Sequence, residues 1–325
     1  MSRSILITGG TTGLGYNAAL NLARAFPSHK IIIASRTNTN NAAESINWTT
    51  KQSNVVYMHL DLSSLSQVRA FASEWSSQSH PPIEFLLLNA GVQLAGPLQF
   101  TKDGYEKTFA INHMNQALLF SLLTPYLADN ARITITGSGT HDPAQPWPVP
   151  PAKYTTAEEL AHPSSSAGVT DAAQCYSNSK LASLMWSYAL ERRLAPLRDS
   201  GRKNWTVASF CPGMMPGTNL ARDLNPVVRW VFKNIMPRLI PVLRIVVGSK
   251  NIHTADVSGA ALARIATAEE FRGVSGGYFE GGGEVKSSEA SYDEEKQEEL
   301  WTWTVKSVAE SPEEIARFRL RSLDA

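Results

Sequence analysis

The sequence of 325 residues has little cysteine and almost no net charge. Its two cysteines, Cys175 and Cys211, lack metal-ligand spacing and cannot cross-link a domain of this size, which excludes a disulfide scaffold and indicates a reducing compartment. The 30 lysines and arginines against 29 acidic residues give a formal charge of +1, so nothing indicates a nucleic-acid partner. Hydrophobic residues make up 43% of the chain, which excludes wholesale disorder.

The amino terminus also lacks a targeting signal. The first apolar run begins at residue 5, which leaves no room for a secretory signal peptide. We therefore expect a cytoplasmic protein, and we predict no metal site.

Short, almost wholly apolar runs alternate with helical patterns along the chain, as they do in a parallel sheet that is covered on both faces. We predict an α/β fold, a Rossmann-type doubly wound parallel sheet of about seven strands flanked by helices, in one domain spanning 1–325. The predicted strands are 5–8, 31–35, 55–60, 85–88, 133–136 and 207–210, and the predicted helices lie near 14–26, 41–52, 65–77, 104–127 and 173–197.

A glycine-rich turn follows the first predicted strand and leads into the first predicted helix. Glycines at this position permit a tight turn and let the backbone approach a pyrophosphate at the helix N-terminus. The context of strand, turn and helix indicates dinucleotide binding rather than a plain turn. The predicted cofactor-binding residues of this turn are Gly9, Thr11, Thr12, Gly13, Leu14 and Gly15.

The second predicted strand ends at Ser35 and Arg36, where an acidic residue would accept hydrogen bonds from the ribose 2′-hydroxyl of NAD. A guanidinium at this position pairs instead with a 2′-phosphate. The sequence therefore predicts NADP(H) as the cofactor.

Tyr176 and Lys180 are four residues apart and share one face of a predicted helix. Lowering a phenol pKa by about three units needs roughly 4 kcal/mol. An ammonium at about 4 Å supplies on the order of 4 kcal/mol at an effective dielectric constant near 20. We therefore expect Lys180 to lower the pKa of Tyr176 and to hold it ready for proton transfer, although the spacing alone also fits an exposed helical pair.

In the order of its motifs the chain resembles the classical short-chain dehydrogenase/reductase family from residue 4 to about 220. The ordered motif residues beyond the glycine turn are Asp61, Leu62, Asn89, Ala90, Gly91, Asn112, Ser138, Tyr176, Lys180, Pro212, Gly213 and Thr218. The segments 137–143, 212–222, 278–281, 291–294 and 300–301 are similar to the protochlorophyllide-reductase-like or retinol-dehydrogenase-like subgroup, whose members mostly act on bulky lipophilic carbonyls and alcohols.

The resemblance implies a role for each catalytic candidate. Tyr176 would donate its proton to a carbonyl oxygen as hydride arrives from NADPH, and Ser138 would orient that oxygen. Lys180 would bind the nicotinamide ribose, and Asn112 would support a water-linked proton relay.

The same resemblance implies positions around the cofactor. Asp61 and Leu62 would hold the adenine ring, and Asn89, Ala90 and Gly91 would stabilise the sheet and line the cleft. Pro212, Gly213 and Thr218 would lie near the nicotinamide carboxamide.

Two segments depart from the alternation of strands and helices and are predicted to select the substrate. A proline-rich loop at 139–172 separates Ser138 from Tyr176. The helical apolar run 226–247, within a predicted flap at about 219–250, contains charges and prolines that argue against a membrane span. It fits a flap over an apolar pocket, an interfacial membrane anchor or a plain packing helix. Candidates to line the substrate pocket, if they are not simply core, are Trp147, Met214, Met215, Trp230, Phe232 and Met236.

The sequence therefore predicts an NADPH-dependent reductase of a lipophilic ketone or aldehyde. Two alternatives stay open: an alcohol dehydrogenase working in the oxidative direction, and a non-catalytic NADP-binding regulator. Family members commonly pair through the helices predicted at 104–127 and 173–197, and the 139–172 loop could cover that surface. Monomer and homodimer both stay open, as does peripheral membrane contact through 226–247.

Overall fold

A mixed sheet is the framework of the chain in the computed structural model, which describes residues 2–147, 149–163, 171–218 and 225–320. The described residues form eight strands, in the spatial order β3-β2-β1-β4-β5-β6-β7-β8. They are Ser4–Thr8 (β1), Lys30–Ser35 (β2), Val55–His59 (β3), Ile83–Leu88 (β4), Leu127–Thr136 (β5), Thr206–Cys211 (β6), Tyr278–Glu280 (β7) and Gly283–Glu284 (β8).

Strands β1 to β7 pair in parallel, and only the two-residue β8 runs antiparallel, at the sheet edge. This confirms the predicted fold class, with one short strand beyond the expected seven. The strand order reverses direction at β1, which lies between β2 and β4. In a doubly wound sheet such a switch point opens a crevice at the carboxyl ends of the strands.

Helices cover both faces of the sheet. They are Gly13–Ala25 (α1), Ala42–Thr50 (α2), Leu65–Ser77 (α3), Lys107–Phe109 (α4), Asn115–Leu123 (α5), Ala157–Ala161 (α6), Ala172–Asp199 (α7), Pro226–Asn234 (α8), Ile240–Val247 (α9), Ala255–Thr267 (α10), Glu294–Val308 (α11) and Pro312–Phe318 (α12). Among the helices in the described ranges, none is both long enough and apolar enough to cross a bilayer.

The expected continuous helix at 104–127 is wrong in one respect. A π-helical segment, Ala110–Met114, separates α4 from α5. The Asn112 side chain in this segment bonds the loop after β4, and its carbonyl accepts a hydrogen bond from Ser183 Oγ at 3.1 Å. π-Helical turns are common at functional sites, and a simple period of 3.6 residues does not predict them.

The loop predicted at 139–172 is less irregular than expected. It begins with a 3₁₀ turn, Gly139–His141, and contains the short helix α6, whose first turn is capped by the Thr156 hydroxyl. Position 148 and residues 164–170 of this segment lie outside the described residues.

Alternating side chains of the strands build the two apolar layers. Ile5 and Ile7 of β1 pack with α1, α2 and α10 on one face, and Leu6 packs with α3, α5, α7 and α11 on the other. All three are fully buried. The period of two along a strand therefore explains why both faces are covered by helices.

The C-terminal helix α11 lies against α7, the helix that carries Tyr176. The Trp186 and Trp301 rings stack at 5.9 Å with 10° between their planes. The Arg193 guanidinium lies 3.9 Å from the Trp301 ring centroid, a cation–π contact, and it also bonds Glu298. Part of the α7 surface is thus covered by the chain itself.

Gly259 marks the closest approach of α10 to α1. A Cβ atom there would lie 2.4 Å from the Asn17 Cβ and 2.9 Å from the Ala18 nitrogen. Because both helices are already packed on the sheet, neither is free to move away.

We therefore expect Gly259→Ala to lower the free energy of unfolding by about 1–3 kcal/mol, an overpacking cost that exceeds the gain in helix propensity. The matched control is Ala260→Gly at the exposed neighbouring position, which should cost about 1 kcal/mol through propensity alone. Urea unfolding of both variants measures the effects. A Gly259→Ala protein more stable than the parent would refute the packing argument.

Candidate active site

A cleft opens along the carboxyl edge of the sheet, where the switch point lies. It collects the carboxyl ends of β1 to β6 with the first turn of α1 and one face of α7. Its lining residues are Gly9, Thr12, Gly13, Leu14, Gly15, Ala34, Ser35, Arg36, Thr37, Leu60, Asp61, Leu62, Ser63, Asn89, Ala90, Gly91, Val92, Gln93, Ile111, Thr136, Gly137, Ser138, Tyr176, Lys180, Pro212, Gly213, Met215 and Thr218.

The glycine turn forms one end of the cleft. Gly13 has a φ of +55°, a left-handed conformation that favours glycine. A Cβ on Gly15 would lie 2.3 Å from the Gly9 carbonyl oxygen, so the turn closes only without a side chain. The backbone N–H groups at the start of α1 are therefore exposed to the cleft at close range. This arrangement fits the pyrophosphate of a dinucleotide.

Asn89 fastens three strand ends together beneath the cleft. Its Nδ2 donates to the Thr8 carbonyl at 2.9 Å, its backbone nitrogen donates to Thr8 Oγ1 at 2.9 Å, and its Oδ1 accepts from Thr136 Oγ1 at 3.1 Å. Gln116 of α5 extends the network by donating to the Ala90 carbonyl at 2.9 Å. The ends of β1, β4 and β5 are thus held in one register around the cleft.

Arg36 is exposed at the far end of the cleft, directly after β2. Within the described part of the chain it makes no salt bridge, so its guanidinium is available to a ligand. Asp61, across the cleft at the end of β3, accepts from the Ser63 backbone nitrogen at 2.9 Å and from its hydroxyl at 2.7 Å. This turn fixes the position of the Asp61 carboxylate beside the cleft.

Tyr176 and Lys180 enter the cleft from the first turns of α7. Both are buried, at 8% and 5% exposure, which excludes the exposed helical pair. Lys180 Nζ donates to the Thr136 carbonyl at 2.9 Å and lies 5.8 Å from the centroid of the Tyr176 ring. Burial lowers the pKa of Lys180 to about 8, so the side chain is mostly protonated at neutral pH.

The predicted lowering of the Tyr176 pKa is wrong. Burial raises the pKa of Tyr176 to about 12, and the hydrogen bond from Ser138 opposes this only in part. Because the Lys180 ammonium bonds the Thr136 carbonyl instead of the phenol oxygen, desolvation outweighs its attraction for a phenolate. The Tyr176 phenol is therefore protonated at neutral pH.

Ser138 begins the 3₁₀ turn after β5 and lies beside Tyr176. Its Oγ accepts hydrogen bonds from the Thr140 backbone nitrogen at 3.3 Å and the Thr140 hydroxyl at 3.1 Å. These contacts hold the Ser138 side chain in place at the cleft lining.

His141 holds the backbone of this turn, a role that no pattern in the sequence indicates. Its Nε2 accepts from the Ser288 backbone nitrogen at 3.1 Å, so Nδ1 carries the proton and donates to the Ser138 carbonyl at 2.6 Å. Burial lowers the pKa of His141, which keeps the ring neutral. The segment before α11 is thereby tied to the catalytic candidate Ser138.

Asn112 lies behind the cleft wall and is buried. Its Oδ1 accepts from the Val92 nitrogen at 2.8 Å, and its Nδ2 donates to the Val92 carbonyl at 3.0 Å and to Ser179 Oγ at 3.0 Å. The side chain thus fixes the loop after β4 against α7. The relay role implied for Asn112 stays a prediction.

Of the predicted cofactor-binding residues, all line the cleft except Thr11. Thr11 is buried beneath the turn, and its carbonyl accepts from Asn40 Nδ2 at 2.8 Å. Of the substrate-pocket candidates, Met215 lines the cleft, Trp147 packs against Gly139, and Trp230 is 58% exposed. Cleft residues that the motifs did not indicate are Ala34, Thr37, Leu60, Ser63, Val92, Gln93, Ile111, Thr136 and Gly137.

Comparison with known proteins is consistent with this geometry. Residues 3–150 match the family model described as short chain dehydrogenase, and residues 218–316 match the model described as AcuH dehydrogenase domain. Polyprenol dehydrogenase of Danio rerio is 30% identical over 310 residues, which cover 91% of this chain and 83% of that protein. Retinol dehydrogenase 13 of Homo sapiens is 29% identical over 317 residues, covering 94% and 84%.

The fold is shared with solved structures. The NADPH-bound carbonyl reductase from chicken fatty liver superposes with a TM-score of 0.60 at 17% identity, covering 88% of this chain and 99% of that one. The matches in sequence and in fold, together with the ordered residues of the cleft, show that this chain belongs to the short-chain dehydrogenase/reductase family, in its retinol-dehydrogenase-like subgroup, and is an oxidoreductase that acts on CH–OH or C=O groups.

Proposed function

We propose that this protein is an NADPH-dependent reductase that converts the carbonyl of a lipophilic ketone or aldehyde to an alcohol. The observation that carries the proposal is a buried phenol that keeps its proton at neutral pH beside Ser138 and Lys180. Burial raises the pKa of Tyr176 to about 12, so at neutral pH the side chain is the phenol and not the phenolate that alcohol oxidation needs. Reduction needs the protonated form, which is the abundant one.

Each end of the cleft matches one part of the cofactor. The exposed guanidinium of Arg36 suits the 2′-phosphate, and the N-terminus of α1 suits the pyrophosphate. Lys180 and Tyr176 lie where the nicotinamide ribose would be held. When bound, NADPH supplies the hydride that forms the new C–H bond and leaves as NADP⁺.

The side chains of the cleft orient the carbonyl oxygen and supply its proton. Ser138 donates a hydrogen bond to the carbonyl oxygen and orients it, and Tyr176 gives its proton to that oxygen as negative charge develops there. The C=O π bond breaks, and one C–H and one O–H bond form. Protonated Lys180 stabilises the tyrosinate that remains until solvent protons reach it.

The names of the relatives support a lipophilic substrate. Polyprenol and retinol, which appear in those names, are lipophilic alcohols, and the names describe dehydrogenases. They favour a second candidate function, oxidation of a lipophilic alcohol by the same residues. The NADPH-bound carbonyl reductase among the structural neighbours supports NADPH and reduction.

Tyr176→Phe should lower turnover at least a hundredfold while leaving NADPH affinity within about threefold, because only the acid is removed. The measurement follows NADPH absorbance with a panel of long-chain and isoprenoid aldehydes and ketones, beside a direct NADPH titration. Tyr188→Phe is the control, since that phenol is on the same helix but bonds Ser287 Oγ at 2.7 Å, outside the cleft. Retained turnover in Tyr176→Phe would refute the proposed acid.

The rate of reduction at saturating NADPH should be flat near neutral pH and fall as pH rises through about 8, because Lys180 then loses its charge. Tyr176 does not titrate in this range. A slower Lys180→Arg enzyme should lack the alkaline fall, since arginine stays protonated. An unchanged fall in Lys180→Arg would assign it to another group.

Arg36→Ala should weaken NADPH binding about 10- to 100-fold, the loss expected for a charge-assisted hydrogen bond of about 1.5–3 kcal/mol. NADH affinity, which involves no 2′-phosphate, should change less than about threefold. Fluorescence titration with both cofactors measures the difference. Equal losses for NADPH and NADH would refute the phosphate role.

A further inference from the structure

Helices α8 and α9 and the turn between them, residues 225–250, form a projection that we call the basic hairpin. Its sequence holds five lysines and arginines and no acidic residue. The cations are Arg229, Lys233, Arg238, Arg244 and Lys250. This is a strong local excess in a chain whose formal charge is +1.

The outer faces of the basic hairpin are apolar and exposed. Val227 and Trp230, one turn apart on α8, are 70% and 58% exposed. Ile245 and Val246 on α9 are 83% and 75% exposed. Helix α8 buries none of its residues. Exposed apolar side chains concentrated in a segment that also holds exposed cations indicate an interaction surface.

The inner face of the basic hairpin is already occupied by the body of the protein. Ile240 is buried, and the Phe232 carbonyl accepts from the Gly217 nitrogen at 3.0 Å. Pro237 also approaches Gly217, since its Cγ lies 3.1 Å from where a Cβ on that glycine would be. The exposed residues therefore face away from these contacts.

The basic hairpin is joined directly to the cleft. Arg244 donates to the Ile252 carbonyl at 2.8 Å, and Ile252 pairs with Met214 in an isolated bridge. The loop that follows Met214 supplies Met215 and Thr218 to the cleft lining. A ligand that holds the hairpin is thus connected, through this loop, to part of the cleft lining.

We propose that the basic hairpin docks on the surface of an anionic lipid bilayer, with its exposed apolar side chains in the interface and the exposed Lys233 and Arg238 against the headgroups. Charge complementarity selects this occupant, since a polybasic amphipathic segment binds anionic lipid through both terms. A second copy of the same hairpin would bring five cations against five. The proposal goes beyond the proposed reductase activity, and its binding test does not depend on turnover.

The primary test is co-sedimentation of the full chain with two kinds of vesicle. One is phosphatidylcholine alone, and the other contains about 30 mol% phosphatidylserine, an anionic surface. The parent should sediment with the anionic vesicles only. Trp230→Glu with Ile245→Glu should lower the bound fraction at least tenfold. The matched control is Trp48→Glu, which changes an 86% exposed tryptophan on α2 and should bind like the parent.

A second variant tests the contribution of the cations to vesicle binding. Lys233→Gln with Arg238→Gln should lower partitioning about 25-fold, or about fivefold for each cation at roughly 1 kcal/mol per cation near an anionic surface. Raised salt should weaken binding of the parent in the same direction. Thermal melting and NADPH titration of every variant establish that the fold is kept.

Several results would overturn the proposal. They are absence of binding to either vesicle, equal binding to neutral and anionic vesicles, and unchanged binding of the Trp230→Glu/Ile245→Glu variant. A parent dimer that this variant converts to a monomer, without vesicle binding, would instead assign the surface to self-association. If the parent protein binds anionic vesicles but reduces no carbonyl of the panel, the reductase proposal is refuted and the membrane-docking proposal is kept.

Discussion

The burial of one ammonium group, that of Lys180, is the constraint on which the rest of the site depends. At 5% exposure it has lost most of its water, and its pKa falls to about 8 as a result. The Thr136 carbonyl is the acceptor that the structure gives it. We propose that ribose hydroxyls of NADPH accept from the remaining N–H groups. A buried cation is retained at a cost in stability, and strongly perturbed groups of this kind cluster at functional sites.

The surrounding structure keeps that cation and its neighbours in register. Asn89 joins the ends of β1, β4 and β5, and His141 ties the Ser138 turn to the segment before α11. Both residues act through backbone groups that are far apart in sequence. The proposed catalytic residues therefore rest on rigid strand ends and one long helix, while the basic hairpin, which is joined to the same cleft, is exposed.

The sequence predicts the fold and most of the cleft because these depend on local patterns: apolar strands, the glycine turn and motifs at strand ends. It does not predict the π-helical segment at Asn112, because period alone cannot separate it from an α-helix. The sign of the Tyr176 pKa shift also depends on burial and on where Lys180 Nζ bonds, which only tertiary packing decides. The role of His141 depends on Ser288, 147 residues away in sequence.

Carbonyl reduction is tested most directly by a single-turnover reaction in ordinary water with a long-chain or isoprenoid aldehyde or ketone and NADPH that carries two deuterium atoms at nicotinamide C4. The alcohol product is analysed by mass spectrometry. We expect one deuterium on the carbinol carbon for each NADPH oxidised. Tight NADPH binding with no labelled alcohol from any carbonyl of the panel would contradict it.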